Sequence, residues 1–354
     1  MDRKELLNKI ESGDRIDEKE ALELFSWDII ELGSAADMRR KAISPAQEVG
    51  FIVDRIINFT NICDACCTFC AFHASANHIK PYEIPIEEIL KKIDALVHAG
   101  GTQVMLQGGL HPDYELKFYM DMIKTVRKNF PDIWLHSFSP SEVVHMAKKE
   151  SISIDDTVKA LKKAGLNSMP GASDLLVERV RKKISPQKAS VEEWKEVMFS
   201  LADSRMKSSA TMTYGMGETN EEKIAHLKTI RDVQESAGNI QAFIPWSFSP
   251  TGTSLDHIKP ATGMDYLKIL AISRIFLDNI VYFQAGWLTE GLKLAQLALA
   301  MGANDMGGIL TEEVVVKATG IKTETNQEQL VQIIKNAGKI PVKRDSLYQV
   351  LEKF

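Results

Sequence analysis

The sequence predicts an α/β fold, a closed (β/α)8 TIM-type barrel with short helical extensions at both ends. Two observations carry this reading. From Phe51 onward, short apolar segments alternate about eight times with longer amphipathic ones, the pattern of parallel β–α units. The chain has 354 residues, enough for a barrel of about 250 residues with an extension on either side. Right-handed crossovers close such a run of units into a ring.

The elements follow in order. The first forty-odd residues read as helix, with a turn at Ser12-Gly13-Asp14 and a second helical run opening at Ile16 to Glu20. Candidate strands are Phe51–Phe59, Gln103–Leu106, Ile133–Phe138, Leu166–Met169, Ser209–Tyr214, Gln241–Trp246, Ile280–Gln284 and Ala303–Met306. Helical patterns lie between them, at Pro85–Ala99, Leu116–Asn129, Ile154–Ala164, Ser190–Ser204, Thr219–Ser236, Met264–Asn279 and Leu292–Met301. Two more helical stretches, Gln327–Ala337 and Asp345–Lys353, fill the tail. The expected division is therefore an N-terminal helical extension at 1–48, a barrel at 49–320 and a C-terminal helical extension at 321–354.

Composition narrows the partners. Lys and Arg number 43 against 48 Asp and Glu, a net charge of −5, and no basic stripe stands out. That argues against nucleic acid or an anionic membrane as the main partner. The longest apolar region, Leu267 to Phe283, is broken by Lys268, Arg274 and Asp278, so it reads as a buried helix and strand rather than a membrane span. The charged N-terminus, MDRKELLNKIESGD, lacks a signal-peptide core, and a cytoplasmic protein is expected.

The four cysteines stand at 63, 66, 67 and 70 and nowhere else. A disulfide framework would scatter them, so the cluster points to a metal or redox site. Read through Cys63, Cys67 and Cys70, the spacing is Cys-x3-Cys-x2-Cys, with Phe69 and Phe72 beside it. Three thiolates on one loop suit three irons of a cubane and leave the fourth iron open. A zinc knot using Cys66 or His73 is the competing reading, although structural zinc normally draws a second ligand pair from another segment. An electron-carrying iron–sulfur cluster is another, although it normally has four protein thiolates. Barrel chemistry gathers on the loops after the strands. The cysteines, Gln107-Gly108-Gly109, Tyr214 to Glu218, Ser247 to Pro250 and Trp287 to Glu290 should converge there.

Several longer motifs carry a family resemblance. They are Asn58 to Cys63 followed by Cys70-Ala71-Phe72, Leu106 to Pro112, and Phe138-Ser139-Pro140 with Glu142. Phe243 to Trp246, Gln284 to Trp287 and Gly302 to Gly308 extend them into the C-terminal half. From about Val53 to Lys317 the chain resembles the radical S-adenosylmethionine enzymes of the futalosine route to menaquinone and their deazaflavin-cofactor relatives. Its C-terminal half is most similar to the cyclase branch. The resemblance implies a barrel of radical S-adenosylmethionine type, a 4Fe–4S cluster on Cys63, Cys67 and Cys70, and S-adenosylmethionine at the open iron. It also implies an external one-electron donor of flavodoxin or ferredoxin type. The implied substrate is a small nucleoside-derived molecule, dehypoxanthine futalosine. An adenosyl radical would take its ribose 4′ hydrogen, and the carbon radical would close onto its benzoate ring. The runners-up within the group are an aminofutalosine synthase and a tyrosine-using deazaflavin-precursor synthase. A cluster-bearing electron carrier or a zinc-binding module is the non-enzymatic alternative.

The resemblance also implies roles. Gln107, Gly108 and Gly109 would lie against the cofactor's methionine, where glycine permits close approach. Ser137, Ser139, Glu142 and Asp174 would meet its ribose, with Phe69, Phe72, Tyr214 and Glu218 completing the cofactor site. Trp246, Trp287, Thr289 and Asn304 would contact substrate; apart from the resemblance, the guanidinium of Arg181 is of a kind that could meet a substrate carboxylate. His111, Glu290 and Asp305 are the candidate catalytic groups. Met216 occupies the place where the group typically has histidine. Local structure offers plain alternatives: helix caps for Asp174, Glu218 and Asp305, core packing for Trp287, and a solvated face for the run Glu178 to Lys183.

Overall fold

The computed structural model describes residues 3–74, 79–310 and 314–354. Eight parallel strands follow one another around a ring: β1 (Glu48–Thr60), β2 (Gln103–Gly108), β3 (Trp134–Leu135), β4 (Ser168–Met169), β5 (Lys207–Tyr214), β6 (Ile240–Ser247), β7 (Tyr282–Phe283) and β8 (Asp305–Leu310). Ladders join β8 to β1 to β2 to β3, and β4 to β5 to β6 to β7. Single bridges, His136 with Ser168 and Gln284 with Asp305, connect the two halves and close the circle. Each expected strand is present. Those at β3, β4 and β7 are shorter than the apolar runs suggested, because only two residues of each enter the ladder.

The period of two sorts each strand into a helix-facing side and a lumen side. On β1, Phe51, Val53, Ile57 and Phe59 join the main apolar core, whereas Ile52, Asp54 and Ile56 line the lumen. On β5, Ala210, Met212 and Tyr214 pack into the same core, and Ser209, Thr211 and Thr213 turn inward. The helices show the complementary period. Ile86–His98 buries Ile89, Ile93 and Leu96, one face of a helix. Reciprocal capping boxes, Ser190 with Glu193, Thr219 with Glu222 and Thr262 with Asp265, fix where three helices begin. The apolar region from Leu267 is indeed a helix, Gly263–Phe276, buried along most of its length, followed by β7.

The N-terminal helices Arg3–Glu11, Glu18–Glu23 and Ile29–Ile43 form an outer layer. Arg231 donates to the Ile16 carbonyl at 2.8 Å, and Arg15 donates to Asp278 at 2.7 Å. At the other end the helix Gln327–Asn336 is as expected, but the helix expected over Asp345–Lys353 is not. That stretch contains β10 (Val350–Lys353), antiparallel to β9 (Ile340–Arg344), which runs parallel to the start of β1. The apolar residues of that stretch, Leu347, Val350 and Leu351, are exposed. Arg344 is buried instead, and with Tyr348 it lines the lower end of the lumen.

Candidate active site

The loop after β1 carries the three cysteines and is fastened on three sides. Asp64 N–H donates to Leu110 O at 2.9 Å, Thr68 N–H to Ile184 O at 2.8 Å, and Ser254 N–H to Thr68 O at 3.0 Å. Asn61 holds the return of the chain by bonds with Lys80 O and Tyr82 N–H. Two thiols already accept backbone hydrogen bonds: Leu110 N–H to Cys63 Sγ at 3.2 Å and Phe72 N–H to Cys70 Sγ at 3.4 Å. Ala65 and Leu110 wrap the group in apolar surface. Burial pushes the Cys67 thiol up to about 12, so an adjacent cation is needed to hold it as thiolate. Among the described residues no three such side chains are yet gathered around one ion-sized point. Thiols on one clamped loop, met by N–H donors and shielded by apolar atoms, fit an iron–sulfur cluster. Cys66 is exposed, adopts φ 45° and donates its thiol to the Cys63 carbonyl at 3.7 Å.

The end of β2 presses against that loop. A Cβ at Gly109 would stand 2.1 Å from Ile62 O and 2.7 Å from Cys63 Cβ, and one at Gly108 would meet the Phe59 ring. Only glycine fits there. Their N–H groups are committed within the protein, Gly108 to Glu142 Oε1 at 3.1 Å and Gly109 to Thr60 O at 3.0 Å. The segment therefore offers carbonyls, the partners an ammonium group needs. Glu142 is fully buried, and burial raises its carboxyl to about 8. Ser139 caps the following helix, and Ser137 Oγ accepts from Leu106 N–H. Phe138, Ala172 and Asp174, on the loops after β3 and β4, hold left-handed φ values of 63°, 37° and 47°, strain of the kind that collects at functional rims.

A single cavity of about 440 Å³ runs from Cys70 at the rim to Arg344 at the floor, within the size range of small-molecule sites. Of the residues singled out in the sequence, Phe69, Gln107, Asp174, Trp246, Trp287 and Thr289 line it. Asp174 is held by Lys188 at 2.6 Å, and Lys188 also stands 5.6 Å from the centre of the Phe69 ring. Burial disfavours the Lys188 charge, but Asp174 and Cys67 outweigh it and hold its pKa up.

Other candidates stand behind the wall, engaged by protein groups. His111 bonds Glu83 at 2.8 Å through Nε2 and accepts Asp113 N–H through Nδ1. Glu290 accepts from Ser247 N–H at 3.0 Å and from the Ser247 hydroxyl, tying the end of β6 to the helix Trp287–Glu290. Asn304 bridges Phe283 N–H and Val281 O, and Asp305 forms a two-pronged pair with Arg344. Arg181 donates to the Ala189 and Ser173 carbonyls. Glu218 accepts from Gly215 and Met216 N–H. Tyr214 and Met216 are core residues, and Phe72 packs edge-on against Tyr82.

Sequence reasoning missed Lys188 and the whole lower end of the cavity: Asp54, Gln103, His136, Ser168, Gln284, Arg344 and Tyr348. One signal was available. Asp54 and Arg55 interrupt a mostly apolar run, where a charged side chain needs a reason, and of the two Asp54 lines the lumen.

A model of the radical SAM superfamily matches residues 57–230, and a model described as the CofH/MqnC C-terminal region matches residues 237–354. The chain is 38% identical over 351 residues to a cyclic dehypoxanthine futalosine synthase of Halalkalibacterium halodurans, covering 99% of this chain and 95% of that one. It is 40% identical to one of Streptomyces coelicolor, with coverage of 98% and 88%. It is also 40% identical, with coverage of 94% of both chains, to a 5-amino-6-(D-ribitylamino)uracil–L-tyrosine 4-hydroxyphenyl transferase of Methanococcoides burtonii. Among solved structures, methylornithine synthase superposes with a TM-score of 0.76 at 19% identity, covering 95% of this chain and 97% of that one. That likeness is one of fold. Among the described residues no helix is long and apolar enough to cross a membrane.

Proposed function

The chain belongs to the radical SAM superfamily, in the group that carries the CofH/MqnC C-terminal region, and on that premise we propose that it cyclises dehypoxanthine futalosine. Enzymes of this superfamily use a 4Fe–4S cluster and S-adenosylmethionine, act on small molecules and take electrons from an external donor. Here that donor would be a flavodoxin or ferredoxin. The observation that carries the reading is end-to-end similarity to two cyclic dehypoxanthine futalosine synthases.

Cys63, Cys67 and Cys70 would hold the cluster. The carbonyls of the Gly108-Gly109 segment would meet the ammonium of the cofactor's methionine, and Asp174 with Lys188 would border the cofactor. Together the bound groups supply one-electron chemistry able to remove an unactivated hydrogen atom. In the net reaction the ribose 4′ carbon loses a hydrogen, a ring carbon of the benzoate loses another, and the two carbons join. One hydrogen leaves with the adenosyl fragment; the other leaves as a proton, and the electron left behind balances the one that cleavage of S-adenosylmethionine consumes.

The protein's share is placement and exclusion. Ile56, Met105, Ile244, Trp246, Trp287 and Leu288 form an apolar belt in the middle of the cavity. Such a belt suits an aromatic ring and offers few competing hydrogen-bond donors. Thr289 and Ser247 give this belt a polar edge, and Glu290 locks that edge from behind.

The test is anaerobic reconstitution followed by assay with 4′-deuterated dehypoxanthine futalosine. Cyclised product with deuterium in 5′-deoxyadenosine is expected. A second reading, transfer of the tyrosine side chain to the ribityl-uracil acceptor, is supported by the identity with the archaeal transferase. Formation of that adduct without cyclised product would overturn the first reading in favour of the second.

A further inference from the structure

The reaction proposed above draws on the rim and middle of the cavity and leaves its polar floor without a task. We infer that Asp54, Gln103 and Gln284 at the barrel floor form a receptor for the hydroxyl-bearing sugar end of the substrate. This inference rests on the cyclisation reading.

The floor is a built site. Asp54 is 3% exposed. Its Oδ2 accepts from Gln103 Nε2 at 3.2 Å, while its Oδ1, buried beside the cavity, has no partner among the described residues. Leaving a buried oxygen unmatched costs stability unless something else meets it. The backbone makes room for this oxygen: a Cβ on Gly308 would lie 2.0 Å from Asp54 Oδ1. Next to it, a Cβ on Gly307 would lie 2.9 Å from Gln284 Oε1. Two consecutive glycines on β8 thus clear space for two polar side chains on neighbouring parts of the ring.

The open atoms decide the ligand. Gln103 turns its amide N–H to Asp54, and Gln284 turns its own to Tyr348 Oη at 3.3 Å, so each presents its carbonyl oxygen as the remaining acceptor. The floor cation, Arg344, is bonded twice to Asp305, at 2.6 and 2.8 Å, and once to the Asp345 carbonyl at 3.0 Å. Acceptors and one N–H of each glutamine therefore remain unpaired among the described residues, and the cation is committed. A carboxylate could use only the N–H groups there; hydroxyl groups, which donate and accept, can use both kinds. Near neutrality the floor also carries little net charge. Burial raises the Asp54 carboxyl to about 7 against the pull of Arg344. Burial and the same Arg344 lower His136 to about 3, and its Nδ1 pairs with Ser168 Oγ at 2.7 Å. A neutral polyol suits such a floor better than an anion does.

The experiment pairs side-chain variants with substrates lacking one sugar hydroxyl. Asp54→Ala and Gln103→Leu should raise KM by about 10- to 100-fold, with kcat changed far less. One deoxy substrate should lose a similar factor with the unmodified protein and lose little more with Asp54→Ala, because the same contact is already gone. Asp54→Asn, which keeps shape and one acceptor, should recover much of the affinity and show that the fold is intact. Losses that multiply independently for every deoxy substrate, with normal turnover by the unmodified protein, overturn the floor assignment alone. So does a variant effect that disappears only with a substrate lacking the benzoate carboxylate. No cyclised product from the unmodified, fully reconstituted protein overturns the reaction itself and this inference with it.

Discussion

The rim and the floor of the cavity are made in opposite ways. The rim takes its proposed cluster ligands, Cys63, Cys67 and Cys70, from one loop of eight consecutive residues. The floor takes Asp54, Gln103, His136, Gln284 and Arg344 from separate strands and bridges around the ring. A contiguous site survives as a spacing that any alignment of the strands would preserve. A distributed site exists only once the barrel has closed, and its identity depends on register. The rim should therefore govern whether cofactor chemistry occurs at all, and the floor which molecule it acts upon.

The largest effects should come from the rim. Cys63→Ala, Cys67→Ala and Cys70→Ala should each abolish S-adenosylmethionine cleavage, while Cys66→Ala keeps it. Iron content and visible charge-transfer absorption after anaerobic reconstitution check this directly. An inactive Cys66→Ala with a full cluster would mean that the ligand set includes the exposed thiol.

A pair of glycine substitutions puts the two regions side by side. Gly109→Ala drives a methyl group into Ile62 O and Cys63 Cβ, so the loop must shift and cluster content should fall. Gly308→Ala drives one into the Asp54 carboxyl instead. Its cluster and its substrate-independent cofactor cleavage should remain, while KM rises about tenfold or more. If Gly308→Ala loses iron as readily as Gly109→Ala, the two ends of the cavity are not separable.

How much of this was legible in the sequence follows from the same contrast. The eight strands could be read because each is a short apolar run set between amphipathic helices, and the cysteine cluster could be picked out because its spacing is local. Arg344 and Tyr348 could not be read, because their surroundings come from β7, β8 and the lumen rather than from neighbours in the chain. The helix expected for the segment around them gives way to β10, which pairs with β9. His111, Asn304 and Asp305 were singled out because they are polar and follow strands. That logic places a residue near the mouth and leaves open which way its side chain turns. The polar partners that turn them away, Glu83, the β7 backbone and Arg344, lie far off in sequence.

Acid titration tests whether the floor is as neutral as its geometry implies. Asp54 titrates near 3.8 when unfolded and about 7 when folded. Between those values the unfolded chain has lost a proton that the folded one keeps, so this group lowers stability as pH rises. His136 runs the other way, from 6.5 unfolded to about 3 folded. Below 6.5 the unfolded chain binds a proton that the folded one refuses, so stability falls as pH falls. From about pH 4 to 6.5 the two contributions oppose each other. Asp54→Asn should therefore make stability rise more steeply with pH, by on the order of 1 kcal/mol per pH unit, in urea midpoints measured across that window. An unchanged slope would mean that Asp54 is already ionised in the folded protein.

The smallest effect on activity is expected at Met216, although the resemblance places the group's histidine there. Its side chain is 2% exposed and belongs to the main apolar core rather than to the cavity wall. Only its backbone N–H is tied to the site's rim, through Glu218 Oε2 at 2.8 Å. The chain shows what a buried imidazole requires: His226 Nδ1 accepts Leu176 N–H at 2.8 Å, and burial holds that ring neutral, down to about 3. Met216→His would bring an imidazole into an apolar setting with no such partner prepared for it. The expected result is a stability loss of about 1–3 kcal/mol, growing as pH falls below 6.5 because the unfolded chain then binds the proton. Cyclisation by the fraction that remains folded should change less than about threefold. A Met216→His protein that is equally stable and turns over dehypoxanthine futalosine several times faster would place this position in contact with the reacting groups. The division between a rim that runs the chemistry and a core that merely supports it would then have to be redrawn along the loop after β5.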